Sequence, residues 1–253
     1  MAYIYETHLH TSEASACGKT PGKDYISFMK QRGYAGMIVT DHFFNGNSCI
    51  PPFLPWKKRI DLYTRGYENA KKAAEGMSFT VLFGVEFNFD GDEYLIYGIT
   101  PEWLKEHKEI MKMNRKEVHD LIHSAGGIMV HAHPYRERDY LHTIFLTPEI
   151  ADAVEIYNAG NEPYMNALAL EYGKKLNVPF TAGSDIHIIS KRHMGGISFE
   201  NRIETINQFV EELMSGHGTP VIVKNESIEK VIDLPEMHDV SKKPVLPVVY
   251  ESR

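Results

Sequence analysis

Short apolar runs alternate with longer amphipathic stretches along most of the chain, which is the pattern of repeated βα units. The apolar runs are four to seven residues long. Several are rich in β-branched or aromatic side chains, as buried strands are. We therefore predict strands at residues 3–7, 36–40, 79–85, 94–99, 127–130, 153–157, 179–182 and 220–223.

The amphipathic stretches between these runs predict helices. Pro21 stands where the first turn of one helix would begin, and Gly33 stands where that helix would end. Four further helices are predicted at residues 56–76, 101–125, 162–177 and 202–216. About seven βα repeats result, which predicts an α/β fold.

The length of the chain favours a single domain. A chain of 253 residues, 43% hydrophobic, can bury one sizeable core, and single-domain α/β barrels commonly reach this length. No Ser/Gly-rich linker or internal repeat divides it. We predict one domain over residues 1–223 and assign residues 224–253, with Pro235, Pro244 and Pro247, as an irregular C-terminal extension of that domain.

Composition narrows the class of partner. With 27 Lys and Arg against 34 Asp and Glu, the net charge of −7 argues against an extended nucleic-acid or anionic-membrane surface. Cys17 and Cys49 are too few for a disulfide framework, and no basic and apolar leader opens the chain. No apolar run approaches the roughly 18 residues of a membrane span. We expect a cytoplasmic protein with a small-molecule partner; the composition does not indicate an oligomeric state.

Histidines and acids recur where the predicted strands end. After the first strand, His8 and His10 lie two residues apart, so in an extended segment both side chains point to one face. Such a pair alone is as often a surface pair or a packed polar group as a metal-binding pair. The same chemistry at five strand ends points to a shared site. The five segments are His8-Leu9-His10, Thr40-Asp41-His42, Gly84-Val85-Glu86, His131-Ala132-His133 and Asp185-Ile186-His187.

These segments predict a site for more than one metal ion. In a parallel barrel the carboxyl ends of all strands open on one face, so their imidazoles and carboxylates would pool in one pocket. Histidine and carboxylate ligands without a thiolate cage suit Zn²⁺, Mn²⁺ or Fe²⁺. Ions about 3.5–4 Å apart generate hydroxide and bind phosphoryl oxygens in phosphatases.

The ordered motifs resemble those of the polymerase and histidinol phosphatase (PHP) family. The resemblance runs from about residue 3 to residue 200, and its most specific parts are the opening His-x-His-Thr and the closing Gly-Ser-Asp-x-His. It implies a distorted TIM-like (β/α)7 barrel that holds two or three divalent ions and hydrolyses phosphate esters through a metal-activated hydroxide. The motifs are His8-Leu9-His10-Thr11, Thr40-Asp41-His42, Gly84-Val85-Glu86, His133-Pro134, Glu155-Ile156-Tyr157-Asn158 and Gly183-Ser184-Asp185-Ile186-His187.

The resemblance also implies a role for each matching residue. One metal would be bound by His8, His10, Glu86 and Asp185. Glu86 would bridge this metal to a second one, which His133 also binds. A third metal would be bound by His42 and His187.

Two positions depart from the family pattern. The family usually places an Asp or His five or six residues after the second histidine, where this chain has Ser15 and Ala16. Glu13 and Cys17 are the candidate substitutes. The family also tends to place a histidine in the strand after the bridging glutamate, and Glu93 or His131 would fill that gap unless the site holds only two ions.

Two residues are candidates for direct parts in catalysis. Arg136 follows the His133-Pro134 motif, and its guanidinium suits bidentate phosphate binding. Asp41 would act as the leaving-group acid or orient a metal-bound histidine, and we favour the orienting role. Lys191, Arg192 and His193 form a second candidate phosphate-binding group, with an ordinary solvated charge run as the equal alternative.

Three functions remain after this reading. The favoured one is hydrolysis of a phosphate monoester in a small molecule, such as histidinol phosphate or a nucleotide. The first alternative is an amidohydrolase-type C–N or C–O hydrolase on the same metal barrel, although no lysine ends a strand where such enzymes carboxylate one. The second is a non-catalytic metal-binding scaffold, against which the nearly complete ligand set argues.

Overall fold

The computed structural model describes residues 2–189, 193–224 and 227–251 as a mixed α/β fold. No helix within these ranges is long and apolar enough to cross a membrane. The helices are α1 (Tyr25–Gln31), α2 (Trp56–Tyr63), α3 (Arg65–Ala73), α4 (Pro101–Glu106), α5 (Arg115–Ser124), α6 (Pro163–Leu176) and α7 (Ile206–Met214). Short 3₁₀ helices occupy Gly22–Asp24, Lys108–Lys112, Val231–Asp233 and Pro235–His238.

The strands begin at the N-terminus and alternate with these helices for most of the chain. They are β1 (Tyr3–Glu6), β2 (Tyr34–Val39), β3 (Thr80–Phe83), β4 (Val85–Phe89), β5 (Asp92–Tyr97), β6 (Ile128–His131), β7 (Ile144–Leu146), β8 (Ala153–Asn158), β9 (Phe180–Gly183), β10 (Met194–Phe199), β11 (Thr219–Val223), β12 (Ile228–Lys230) and β13 (Val248–Tyr250).

Most strands fall into two sheets. The first has the order β12-β11-β10-β1-β2-β3, in which β1, β2 and β3 are parallel and β10, β11 and β12 run antiparallel to their neighbours. The second has the order β4-β5-β6-β8-β9, in which β6, β8 and β9 are parallel and β4 and β5 are antiparallel. β7 and β13 form a separate parallel pair.

The predicted α/β class is confirmed, but the (β/α)7 barrel is not. Five strand pairs are antiparallel, so the chain is not a simple succession of parallel βα units. Between the two sheets, the described residues form isolated bridges, Leu9 with Ile186 and His42 with Glu86, instead of a continuous ladder. A closed barrel is therefore not found in the described parts of the chain.

The two sheets share a hydrophobic cluster. Tyr5 and Ile38 of the first sheet and Leu95 and Val130 of the second belong to it, and all four are essentially excluded from solvent. The Tyr97 hydroxyl of β5 also donates a hydrogen bond to Thr7 O, just after β1, at 2.8 Å. This shared core fixes the strand ends of one sheet against those of the other.

The C-terminal residues pack on the rest of the molecule. β12 extends the first sheet and β13 pairs with β7. Leu246 and Val248 pack on a cluster that includes Leu146 and Ile156. The predicted boundary between residues 223 and 224 is not tested and stays a prediction.

Candidate metal centre

Four strands deliver side chains from their carboxyl ends to one cleft. Glu86 also points into this cleft, but it lies within a strand, as the second residue of β4. The predicted strand 79–85 is divided at Gly84 into β3 and β4, so Glu86 does not follow a strand end as the sequence had indicated. The side chains after strand ends are His8 and His10 after β1, Asp41 and His42 after β2, His133 after β6, and Asp185 after β9.

The Glu86 carboxylate lies at the centre of the cluster. Its Oε1 is 3.0 Å from His8 Nε2 and 3.1 Å from His133 Nε2. Its Oε2 is 2.5 Å from His42 Nδ1 and 3.5 Å from His10 Nε2. Burial would raise the pKa of Glu86, but the surrounding imidazoles outweigh burial and hold that pKa well below its usual range. A charged carboxylate shared by four imidazoles is well placed to bridge two cations.

Asp185 supplies the second acidic group of the cluster. Its Oδ1 is 3.1 Å from His10 Nε2 and 3.5 Å from His8 Nε2. Its Oδ2 accepts a hydrogen bond of 2.7 Å from Arg136 Nη2. Burial opposes ionisation of Asp185, but Arg136 and the histidines hold its pKa well below the usual value. One oxygen of this carboxylate thus faces the imidazoles while Arg136 binds the other.

Four buried polar atoms in this cluster lack hydrogen-bond partners: His8 Nε2, His10 Nε2, His42 Nδ1 and Glu86 Oε2. They approach their neighbours closely, but without hydrogen-bond geometry. Because buried polar atoms are nearly always satisfied, convergent unsatisfied atoms fit cations that they would share. Within this cluster, four groups of described side chains have their ligand atoms within 4.8 Å of one another: His8–His10–Asp185, His8–Glu86–His133, His42–Glu86–Glu93 and His10–His42–His187.

Glu155 of β8 orients His8. Its Oε1 lies 3.0 Å from His8 Nδ1, and both side chains are fully buried. Its Oε2 accepts hydrogen bonds of 2.9 Å from His133 N and from Asn158 Nδ2. A carboxylate that accepts a proton from Nδ1 leaves the lone pair of Nε2 directed at the cluster.

Ser15 orients His10 and links it to Asp41. The Ser15 hydroxyl donates to Asp41 Oδ1 at 2.6 Å, accepts from His42 N at 3.0 Å, and lies 3.1 Å from His10 Nδ1. Since its only proton goes to Asp41, Ser15 accepts the Nδ1 proton of His10. The Nε2 lone pair of His10 therefore faces the cluster, and burial lowers the pKa of His10 to about 3.

Asp41 is saturated with hydrogen bonds. Besides the Ser15 hydroxyl, it accepts 2.6 Å bonds from the amide and the hydroxyl of Thr11. Burial raises its pKa to about 6, against the effect of these donors. Through Ser15, Asp41 is linked to His10 Nδ1, and the orienting role of Asp41 stays a prediction.

Cys17 lies at the rim of the cluster beside His42 and His187. Burial would raise the pKa of its thiol, but hydrogen bonds with His187 and His42 outweigh burial and lower that pKa to about 6. The His187 ring stacks on His10 with ring centroids 4.3 Å apart, and its Nδ1 is 2.9 Å from Asp185 O. Cys17 is thus close to the predicted third metal, although no ligand group found among the described residues includes it.

The backbone at this site is partly strained. His133, Tyr135 and Asp185 have φ values of 30°, 67° and 50°, in the left-handed region that side-chain-bearing residues rarely adopt. Gly183 allows the close approach of β9, because a Cβ there would lie 2.5 Å from the His8 Cβ and 2.6 Å from Glu155 Oε1.

A cleft of about 690 Å³ opens over the cluster. Arg138 stands in its wall and donates to Gly160 O at 3.2 Å. The guanidinium of Arg136 is fixed there by Asn158, Asn161 and Asp185. Beyond the cluster, the polar side chains that line the cleft are Asn45, Asn47, Asn88, Arg136, Arg138 and Tyr140.

Most of the predicted site residues are brought together, but Glu13 is not. The Glu13 carboxylate accepts hydrogen bonds from Gly22 N at 3.0 Å and from Asn69 Nδ2 at 3.1 Å. It lies apart from the cluster, and the expectation that Glu13 replaces the missing ligand is corrected. The residues that do meet are His8, His10, His42, Glu86, His133, Asp185 and His187, with Asp41, Cys17 and Arg136 beside them.

Of the two residues considered for the second metal, only Glu93 reaches the cluster. Its Oε2 is 3.5 Å from His133 Nε2, and its Oε1 is 3.8 Å from His42 Nδ1. The His131 ring instead stacks on Tyr94 with ring centroids 5.0 Å apart. In the second candidate phosphate-binding group, Lys191 and Arg192 lie outside the described residues, and the side chain of His193 is exposed.

Sequence reasoning quoted Glu155 in a family motif and Ser15 as a departure from the family pattern, but it assigned a supporting role to neither. Glu155 carried a usable signal, since it is a lone acid in the apolar strand Ala153-Val154-Glu155-Ile156. A buried carboxylate in such a strand requires a partner. Ser15 had no comparable signal, because its role depends on contacts with distant segments.

Comparisons with known proteins agree with these motifs. The model of the PHP domain matches residues 6–176, about two thirds of the chain. A search of curated proteins found no match to this chain.

Solved structures share the fold at low sequence identity. A two-domain protein from Bacteroides vulgatus, containing a predicted PHP-like metal-dependent phosphoesterase, has a TM-score of 0.66 and 14% identity; the match covers 90% of this chain and 66% of that one. A protein described as a metal-dependent phosphoesterase, from Bifidobacterium adolescentis, has a TM-score of 0.53 and 16% identity over 84% and 96%. An amidohydrolase from Chromobacterium violaceum has a TM-score of 0.50 and 12% identity over 88% and 98%. At such identities the likeness shows the fold alone.

Proposed function

Because the chain belongs to the PHP domain family, we propose that it hydrolyses the phosphate ester of a small molecule in a metal-dependent reaction. One observation carries this proposal: three buried imidazole nitrogens, of His8, His10 and His42, converge with Glu86 Oε2, and none of these four atoms has a hydrogen-bond partner among the described residues. Such a ligand set fits divalent ions of the zinc, manganese or iron class.

The ligand groups would hold two or three such ions. His8, His10 and Asp185 would bind one ion and His133 with Glu93 a second, with Glu86 shared between them. A third would be bound by His42 and His187. When bound, ions in such sites supply an activated water near neutral pH and offset the charge that develops on phosphoryl oxygens.

The residues of the chain would keep the ligand atoms in the correct protonation state. Glu155 and Ser15 accept the Nδ1 protons of His8 and His10, so that both Nε2 lone pairs are available. In the proposed mechanism Asp41 holds Ser15 and is not the leaving-group acid, because its carboxylate already accepts three hydrogen bonds.

Two guanidinium groups favour a phosphorylated substrate. Arg136 neutralises one oxygen of Asp185 at the cleft wall, and Arg138 lies in the same wall. Guanidinium groups suit phosphate because they offer several fixed donors. A phosphate that enters the cleft would meet this positive charge beside the metal ligands.

The cleft favours a small substrate. Its volume of about 690 Å³ suits a molecule the size of histidinol phosphate or a nucleotide, and its amide side chains offer donors and acceptors for the rest of that molecule. The net charge of −7 provides no general attraction for a polyanion.

Hydrolysis of p-nitrophenyl phosphate by metal-free protein, supplied in turn with Mn²⁺, Zn²⁺ and Fe²⁺, tests the proposal. We expect at least one ion to stimulate phosphate release. The absence of stimulation with all three would contradict a phosphoesterase. Activity on a carboxamide or lactone panel under the same conditions would then support the amidohydrolase alternative.

The assigned ligands are tested by a double substitution, His8→Ala with Asp185→Ala. We expect the loss of both turnover and bound metal, with far-UV circular dichroism close to that of the wild type. His217→Gln is a suitable control, because His217 is an exposed histidine paired with Glu212 away from the cleft. Unchanged turnover in the double variant would refute the assigned site.

A further inference from the structure

A second group of metal-ligand side chains lies outside the cleft. His119 and His123 are four residues apart on α5, so both project from one face of the helix, one turn apart. Asp152 immediately precedes β8 and faces them across the contact between the helix and the sheet. This group is therefore at the start of β8, whereas Glu155 and the metal centre lie towards the end of that strand.

The distances within this group match those of a metal site. His123 Nε2 is 2.9 Å from Asp152 Oδ1, and His119 Nε2 is 3.5 Å from the same oxygen. Tetrahedral zinc with bonds of about 2.0–2.1 Å has ligand atoms about 3.3–3.4 Å apart, so both histidine–aspartate distances are close to the required spacing. Ligand atoms of the three side chains all lie within 4.8 Å of one another.

Neighbouring groups hold these side chains in position. Asp152 Oδ2 accepts a 2.7 Å hydrogen bond from Met129 N, which fixes the carboxylate. Asp120 Oδ1 lies 3.6 Å from His119 Nδ1, on the side of the ring opposite the ligand atom. At that distance the contact is electrostatic and not a hydrogen bond, and it places the Nε2 of His119 on the side of Asp152. The His123 side chain is 44% exposed, which leaves room for water as a fourth ligand.

A hydrogen bond alone explains only part of this arrangement. His123 and Asp152 would form an ordinary ion pair or hydrogen bond at 2.9 Å. His119 Nε2, at 3.5 Å, is beyond the usual range of a hydrogen bond but within the edge of a coordination shell. The two imidazole rings also lie with centroids 3.9 Å apart, which would be unfavourable if both were protonated.

We propose that His119, His123 and Asp152 bind one divalent cation of the zinc class. The bound ion fastens α5 to the segment between β6 and β8. This site is independent of the proposed phosphoesterase reaction, because none of its residues lines the catalytic cleft.

The number of bound ions tests this site. Metal-free protein is dialysed to equilibrium against Zn²⁺ alone, and zinc per chain is measured by inductively coupled plasma mass spectrometry. We expect the variant with His119→Gln and His123→Gln to bind one ion fewer than the wild type and to retain wild-type phosphatase turnover. An equal zinc content in the two proteins would overturn the proposal.

A matched control separates this site from general binding at surface histidines. His217→Gln removes an exposed histidine that, like His123, is paired with an acid, but that has no second histidine one helical turn away. We expect no change in zinc content there. An equal loss of zinc in this control would overturn the proposal, because the binding would then be non-specific.

Thermal denaturation gives a second readout. Zn²⁺ should raise the melting temperature of the His8→Ala and Asp185→Ala double variant, which lacks the main ligands. Adding His119→Gln and His123→Gln should abolish that rise, and an undiminished rise would overturn the proposal.

Discussion

At the residue scale, Ser15 shows how a departure from a family pattern can retain the chemistry of the site. The family places a potential metal ligand here, and Ser15 instead accepts the Nδ1 proton of His10 while donating to Asp41. Ser15 would therefore act on the proposed metal centre indirectly, by orienting the His10 ring, and not as a ligand itself. The sequence identified the departure but not its consequence, because the partners of Ser15 come from two segments that only the fold brings together.

Ser15→Ala should weaken metal binding. Loss of the hydroxyl leaves His10 without its Nδ1 partner and Asp41 without one donor. We expect metal affinity or turnover to fall about 10-fold to 100-fold, as for other residues that orient metal ligands. Isothermal titration with Zn²⁺ measures the affinity. Ser48→Ala is the matched control, because among the described residues its hydroxyl bonds only Ala14 O and Ile50 N in the neighbouring loop. An unchanged affinity in Ser15→Ala would contradict this role.

His131 should make the folding stability depend on pH. Burial lowers its pKa to about 3, from about 6.5 in an unfolded chain. Between pH 6.5 and 3 the unfolded state binds a proton that the folded state does not, so stability falls as the pH falls. This contribution is fully present only above about pH 6.5.

His131→Phe should remove that contribution. Unfolding by urea between pH 7 and pH 4 should show a stability slope shallower than that of the wild type by up to about 1.4 kcal/mol per pH unit. His217→Gln, at an exposed position, should leave the wild-type slope unchanged. Parallel slopes in wild type and His131→Phe would show that His131 is not buried as a neutral group.

At the element scale, strands with strong apolar runs were predicted well and helix boundaries less so. β1, β2 and β8 lie within one or two residues of their predicted positions, and α6 within one residue at each end. β10 was missed, since its two consecutive glycines, Gly195 and Gly196, weaken a strand pattern. β7, β12 and β13 are three residues each, too short for any periodic signal.

The predicted helix 101–125 is divided into separate segments. His107 leaves the helical conformation, with φ −117° and ψ 59°, and Asn114 is extended. Asn114 and Glu117 form a capping box in which each side chain accepts a hydrogen bond from the other's backbone N–H. The Asn-x-x-Glu signal for a new helix start was present in the sequence, but continuous amphipathicity concealed it.

Asn114→Ala should lower the free energy of unfolding by about 1 kcal/mol, because two amides at the start of α5 depend on this box. Chemical denaturation measures the change. Asn114→Ser should retain most of the stability, since serine also caps helices. Equal stability of the alanine variant and the wild type would show that tertiary packing alone sets this boundary.

At the scale of the whole molecule, the site was predicted better than the arrangement of the sheets. Clustering of His8, His133 and Asp185 follows from their places just after strand ends, whichever way the sheets close. Hydrophobic patterns do not specify strand direction, so the antiparallel neighbours of β5 and β10 were beyond sequence reasoning. The prediction that Glu13 joins the metal ligands was wrong for a similar reason, because the direction of its side chain depends on a contact with Asn69 of α3.

Arg115 joins three parts of the molecule. Its guanidinium binds Asp92 of β5 in a bidentate pair at 2.6 and 3.0 Å, Glu251 near the C-terminus at 2.9 Å, and Phe89 O of β4 at 3.1 Å. Asp92 is buried, and burial raises its pKa despite Arg115. The C-terminal residues are thus tied to the second sheet through one side chain.

Arg115→Met should destabilise the protein by about 3 kcal/mol, because it leaves a buried carboxylate unpaired. Urea denaturation measures the loss. The additional substitution Asp92→Leu should restore most of it, since an apolar pair often replaces a buried ion pair without large cost. No recovery in the double variant would indicate that the link to Glu251, and not the Asp92 pair, carries the stability.

The left-handed backbone at His133 and Asp185 has a consequence for laboratory evolution. Such conformations cost about 1–3 kcal/mol each at residues other than glycine, so the folded chain sacrifices stability where it positions these ligands. Selection for thermal tolerance alone would favour glycine at these two positions, and every such gain would remove a proposed metal ligand. If the proposed ligand roles hold, a library screened for heat resistance should be screened for bound metal as well, because its most stable members would lack these side chains.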